Sequence, residues 1–125
     1  MDLQWQRQVE LWLRLMGAPP EILPAPQLSL RHGRDTHYLE AIANRALVSL
    51  ARPLPEIVRQ PTLLHLMTLL QPEAGGSVPL RVWLACGCLW LAATAPEDSG
   101  AELWSRLAHQ QRRLLDRAAE HSHEA

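Results

Sequence analysis

The sequence predicts an all-α fold, a single compact bundle of five to six helices with a Pro-rich connection after the first helix. Three observations carry that expectation. Apolar residues recur at i, i+3, i+4 and i+7 in several stretches, and none shows the apolar–polar alternation of a half-buried strand. Pro and Gly clusters then cut the chain into helix-length pieces. At 125 residues the chain fits one core, read as a helical domain over 1–120 and a flexible tail over 121–125.

The first helix is expected over about Asp2 to Met16, where Trp5, Val9, Trp12 and Met16 form a stripe with Leu13 beside it. Gly17 stops it and Pro19-Pro20 enforce the stop. Residues 17–34 form the Pro-rich connection. It is either a strap whose Leu23, Leu28 and Leu30 plug the core or a polyproline II segment that docks a partner. A second helix starts at Asp35-Thr36, carries Leu39, Ile42, Ala43, Ala46, Leu47 and Leu50 at helical spacing, and ends at Pro53 and Pro55.

Glu56 to Gln71 reads as one broken or two short helices, with Pro61 opening the second piece. A loop follows over Gln71 to Gly76, and Ser77 caps the next helix. From Val82 to Ala93 every residue is apolar or small, the pattern of a central helix wrapped by the others. After Ala95-Pro96, Ser99 and Glu102 have capping-box spacing. The last helix buries Leu103, Leu107, Leu114 and Ala118 and turns Arg106, Arg112, Arg113 and Arg117 outward.

Composition bounds the function. With 47% hydrophobic residues, 20% charged and net charge −1, the chain is neither disordered nor a strongly basic nucleic-acid binder. All twelve cations are Arg, and Leu fills 24 positions. Coding bias toward Arg, Ala, Leu, Pro and Gly accounts for such usage without any function. No signal-peptide pattern opens the chain. The longest uncharged apolar run, Val82 to Pro96, falls short of the roughly 20 residues of a membrane span. A cytoplasmic protein without membrane insertion is expected.

No catalytic constellation emerges, and neither an enzyme nor a cofactor is expected. Glycine-rich phosphate loops, G-x-S-x-G and H-E-x-x-H are all missing from the sequence. The six histidines lack zinc spacing, so no metal is expected. Cys86 and Cys88, placed on a helix, would point roughly 200° apart and so could not share an ion or a disulfide. Two sequence features point instead to protein contacts. Trp5 and Trp12 on the N-terminal helix belong to the core or to a docking surface. Arg106, Arg113 and Arg117, at i, i+7 and i+11 on the last helix, form a row suited to an acidic protein, or else a solvated face paired in part with Asp116 and Glu120.

Cys88-Leu89-Trp90-Leu91-Ala92-Ala93-Thr94-Ala95-Pro96, followed by Trp104-Ser105-Arg106-Leu107, resembles a segment of the SctK/YscK/OrgA group. These are helical cytosolic accessory proteins of bacterial type III secretion. The resemblance covers about a fifth of the chain, carries over no functional residue, and implies a scaffold or adaptor. The expected function is therefore a small helical adaptor or chaperone-like subunit of a bacterial multiprotein assembly, such as the cytosolic part of a type III secretion system. Its partner would be another protein, as hetero- or homo-oligomer. The alternative is a small helical regulator that binds a transcription factor or nucleic acid, with 35–70 imitating a helix-turn-helix.

Overall fold

The computed structural model describes residues 2–70 and 78–124, the side chains of 121–124 excepted. The all-α expectation is overturned. The chain is an α/β protein in the order α1 (Leu3–Leu15), β1 (Gln27–His32), β2 (Asp35–Ile42), β3 (Arg45–Pro53), α2 (Glu56–Leu69), β4 (Arg81–Ala85), β5 (Cys88–Thr94) and α3 (Ala101–Glu124). The strands make one antiparallel sheet in the order β1-β2-β3-β5-β4. The helices α1, α2 and α3 contribute to the core on one sheet face.

The first helix forms as its stripe predicts. Asp2 accepts the Gln4 amide at 3.0 Å, and Val9, Trp12 and Leu13 are buried. Gly17, at φ 70°, ends it in a left-handed cap in which Gly17 N–H bonds the Arg14 carbonyl and Ala18 N–H that of Leu13. The connection is shorter than the expected 17–34, because its far end is strand β1. Leu28 and Leu30 do enter the core, as residues of that strand.

The helix expected from Asp35 to Leu50 is instead a β2–β3 hairpin. Its turn is Ala43-Asn44, both at positive φ, as the favoured two-residue hairpin turn requires. The alternation was masked because the inward residues of β2 are Asp35, His37 and Leu39, while Tyr38 faces outward. β3 is buried on both faces from Val48 to Arg52, which erases its period. The central helix expected over Val82 to Ala93 is a second hairpin, β4–β5, turning at Cys86-Gly87. A helix-turn-helix over 35–70 is excluded by the same strands.

α2 is one continuous helix, with Pro61 inside it rather than opening a second piece. The expected loop over Gln71 to Gly76 and the Ser77 cap lie outside the described residues. α3 runs helical to Glu124, beyond the point where the sequence suggests a tail. Its first turn uses no capping box. The Ala101 amide bonds Gln8 Oε1 of α1 at 2.8 Å, while Ser99 Oγ donates to the Pro96 carbonyl and accepts Trp104 Nε1.

The core has two lobes joined by α3. One packs Val9, Trp12, Leu28, Leu39, Val48 and Leu107. The other packs Leu50, Leu66, Leu89, Leu91 and Leu115. A buried ion network fixes α3 over the sheet. Arg52 Nε meets Asp35 Oδ1 at 2.6 Å and Nη2 meets Oδ2 at 2.9 Å, and Nη2 also bonds Asp116 of α3. Gln111 of α3 adds a 3.0 Å bond to the Val48 carbonyl.

Candidate protein-binding surface

α2 places Val58, Thr62, Leu63 and Leu66 toward the sheet and α3. Its opposite side should then be polar, as on any surface helix. It carries the exposed Gln60 and Thr68, but apolar side chains dominate it. Ile57, Pro61, Leu64 and Met67, spaced i, i+4, i+7 and i+10, face outward, with Ile57 85% exposed, Leu64 56% and Met67 55%. Beside this helix runs β4, which has only five residues and lies at the edge of the sheet. Trp83 and Leu84 are exposed on it. An apolar helix stripe next to a short apolar edge strand is a surface that water covers at a cost and a partner would cover at a gain.

The sheet face without helices continues this surface. There Tyr38 of β2, Trp90 of β5 and Trp83 of β4 form a ladder of stacked rings. Centroids are 5.5 Å apart for Tyr38–Trp90 and 5.9 Å for Trp90–Trp83, the latter pair 5° from parallel. Tyr38 reaches Trp90 across β3 because β3 and β5 offer only Ser49, Ala51 and Ala92 beneath the rings. Those three small residues are buried even though no helix covers them. Trp90 Nε1 is satisfied by the Ala85 carbonyl at 3.2 Å. The ladder thus roofs its own sheet and leaves the outer side of Trp83 open.

The residues singled out from the sequence do not converge on one place. Trp12 is fully buried in the first lobe. Trp5 is half-buried. Its Nε1 donates to the Ala25 carbonyl at 2.9 Å and its ring lies 5.2 Å from that of Trp104, so it pins the connection after α1 against α3. Arg106, Arg113 and Arg117 stand exposed along the outer side of α3. Asp116, expected to pair along that helix, bonds Arg52 instead. A cavity of about 520 Å³ lies between the start of α1, the β2–β3 turn and residues 96–99. Its walls mix Asp2, Glu97 and Asp98 with Arg45, Trp5 and Trp104.

Sequence reasoning missed the α2–β4 surface. Its signal was nonetheless present. Leu63, Leu64, Leu66, Met67 and Leu69 set apolar residues on several sides of α2, more than one buried stripe accounts for. In a sheet-backed fold such a helix has only one side to bury, so the other remains exposed.

Of the titratable groups that depart from ordinary behaviour, His37 and Arg52 are buried and His109 is exposed on α3. Burial pushes the His37 imidazole down to about 4, only partly offset by the Asp35 carboxylate. Burial would also lower Arg52, but its bonds to Asp35 and Asp116 outweigh that and raise it. His109 is lowered by partial burial and by Arg113 and Arg112. Of the three, Arg52 ties the sheet to α3, and none belongs to α2 or β4.

The sequence model of the family described as SsaM matches residues 2–118. The chain belongs to the SsaM family. One relative is the secretion system apparatus protein SsaM of Salmonella typhimurium, 28% identical over 121 residues, covering 96% of this chain and 97% of that protein. The family shown is SsaM, and membership in the SctK/YscK/OrgA group gains no support from this match.

Solved structures share the fold of this SsaM-family chain. One chain of the heterodimeric ExoU–SpcU complex from the type III secretion system of Pseudomonas aeruginosa aligns with TM-score 0.60 at 19% identity. That alignment covers 90% of this chain and 95% of the other. One chain of the ExoT–SpcS complex of the same organism aligns at 0.52 and 14%, over 96% and 98%. YbjN from E. coli aligns at 0.57 and 13%, over 94% and 90%. At such identities the likeness is one of fold. No helix among the described residues is long and apolar enough to cross a membrane.

Proposed function

We propose that the chain is a small adaptor or chaperone-like subunit of a bacterial type III secretion system, acting in the cytoplasm through protein contacts. One observation carries the reading: α2 exposes Ile57, Leu64 and Met67 on the side opposite the core. Membership in a family whose Salmonella member is named a secretion system apparatus protein supports the setting. The solved complexes that share the fold, ExoU–SpcU and ExoT–SpcS, come from proteins that work in pairs, which fits a protein partner. The partner seat is the α2 stripe and the β4 edge. The exposed row Arg106, Arg113 and Arg117 on α3 is a second contact surface for an acidic segment. Trp12 and Trp5 serve it indirectly, by holding α1 and its connection in place.

The test is co-expression with the type III secretion proteins of the same cell, followed by co-purification. A stoichiometric partner that is lost with Leu64→Glu, while the variant keeps its circular dichroism spectrum, supports the proposal. Retention by Leu64→Glu and loss with Arg113→Glu would move the seat to α3. No partner for the wild type would end the reading.

A further inference from the structure

The cations in the middle of α3 do not stand alone. His32 ends β1 and pairs in register with Asp35, the first residue of β2, across the two-residue turn Gly33-Arg34. Gly33 supplies the positive φ, 62°, that such a turn needs at its first position. Partners in register across a hairpin hold their Cβ atoms roughly 5 Å apart. Arg112 of α3 brings its Nε to 3.9 Å from Asp35 Oδ2, so the helix reaches the same place. His109 lies one turn before Arg112 and Arg113, at the i+3 and i+4 spacing of helix neighbours. The fold thus joins His32 of the hairpin to His109, Arg112 and Arg113 of the helix. His32, His109 and Arg113 are exposed and Arg112 is half-buried.

The carboxylates closest to this cluster are already engaged. Asp35 is buried and holds Arg52 with both oxygens. Asp116, four residues beyond Arg112, bonds Arg52 as well. The outer groups are left to repel one another, and His109 registers it. Partial burial, Arg113, Arg112 and His32 hold it below its ordinary value. His37, with its ring centroid 6.5 Å from that of His32, is lowered first by its burial, raised by Asp35, and lowered again by His32, Arg112 and His109. Cations that repel in this way gain from an anion laid across them, and guanidinium forks match carboxylates. Arg106 and Arg117 extend the surface to roughly 16 Å at 1.5 Å per residue, a length that about five extended residues match. Exposed Glu102 and Glu120 stand beyond its two ends and would repel a polyanion that ran on past it. Every exposed side chain among the described residues of α3 is charged or histidine, so nothing apolar is offered to a bilayer.

We propose that His32, His109, Arg112 and Arg113 form the centre of a seat for a short acidic segment of a partner protein, and that His109 takes up a proton from solvent as the carboxylates settle on it. The proposal rests on the reading of the α3 arginines as a contact surface, and adds the centre of that surface and its control by pH. A carboxylate against His109 offsets the repulsion from Arg112, Arg113 and His32 and favours the charged imidazolium. The bound state then holds more protons than the free one, so binding tightens as pH falls. Contact is made by side chains that reach out from α3, whose backbone amides are already bonded within the helix.

The full chain is titrated into a rhodamine-labelled peptide of about six aspartates with blocked termini, and binding is read by fluorescence anisotropy at low salt, at pH 7.5 and pH 6.0. The aspartates stay ionised at both values. The wild type is expected to bind about three- to tenfold more tightly at pH 6.0, the effect of one imidazole gaining a proton. In His109→Gln that gain is expected to fall below about twofold. Arg113→Glu and His32→Glu are expected to weaken binding by about tenfold and about threefold at both pH values. Equal affinity of the wild type at the two pH values, or a gain that survives in His109→Gln, overturns this inference and leaves the arginine row as a contact surface. A His32→Glu variant that binds like the wild type takes the hairpin out of the seat and overturns the two-element site. Tighter binding of a short single-stranded DNA or of phosphatidylglycerol vesicles than of the peptide overturns the choice of occupant. No binding of the peptide at either pH overturns the α3 contact surface together with this inference, while the α2 seat is tested apart by co-purification. Thermal melts that match the wild type exclude a folding defect in the variants.

Discussion

Arg52 ties the sheet to α3 from inside, with its side chain 2% exposed and both oxygens of Asp35 engaged. A buried pair of this kind adds little net stability over an apolar replacement of both members, but breaking it leaves an uncompensated charge. Arg52→Met is therefore expected to cost about 3–5 kcal/mol, because Asp35 stays buried without its cation. Asp116→Asn should cost far less, since Asp116 is more than half exposed and water takes over its role. Urea denaturation of the two variants measures both. At α3, Gln8 caps the Ala101 amide across the interface with α1, and Gln8→Ala is expected to cost about 1 kcal/mol in the same measurement. His37 sets the pH dependence. Its folded value of about 4 lies below the ordinary 6.5, so the folded state binds fewer protons than the unfolded one between these values. Its contribution is full above pH 6.5 and is lost as pH falls toward 4, about 2–3 kcal/mol by pH 4.5. Denaturation midpoints of wild type and His37→Leu at pH 7.5 and 4.5 check this, the variant being expected to lose distinctly less on acidification.

At the scale of elements, legibility tracked where each segment buries its side chains. α1 was readable because it is amphipathic against one core and ends in Gly17. α3 was readable by its Leu103, Leu107 and Leu114 stripe. The hairpins were not, for two separate reasons. β2 turns Asp35 and His37 inward to serve the Arg52 network and Tyr38 outward to serve the ladder, which inverts the usual sign of the alternation. β3 and β5 are covered on one side by helices and on the other by rings, which leaves continuous apolar runs that helices share. Ala43-Asn44 and Cys86-Gly87 were the remaining turn signals, and in each pair only the second residue is a common marker. The ladder belongs to this scale as well. Trp83→Ala removes one ring at the exposed end and is expected to destabilise by no more than about 1–2 kcal/mol, since the ring is 39% exposed. Trp90→Ala removes the middle ring and uncovers Ala51 and Ala92, and is expected to cost about 3–5 kcal/mol. Thermal melts of the two variants separate the cases.

For the molecule as a whole, the helices and the sheet divide the work. One sheet face and α3 make a stable body, and the far side of α2 with the β4 edge is left apolar. Of the partner-binding residues chosen from sequence, Trp12 is in the core, Trp5 fastens the connection, and the three α3 arginines are exposed. The apolar run of α2 was legible in the sequence, but which of its sides stays exposed was not, because exposure of a helix depends on what it packs against. The expectation of a protein-contact role came from the residues, and the family match over residues 2–118 gives that role its setting. The central claim is that this surface seats another protein. Its most direct test is amide hydrogen exchange on the co-purified complex against the free chain. Protection concentrated in residues 57–69 and 81–85, with little change along the outer side of α3, is the expected result. Protection confined to α3, with α2 and β4 exchanging as in the free chain, would contradict it.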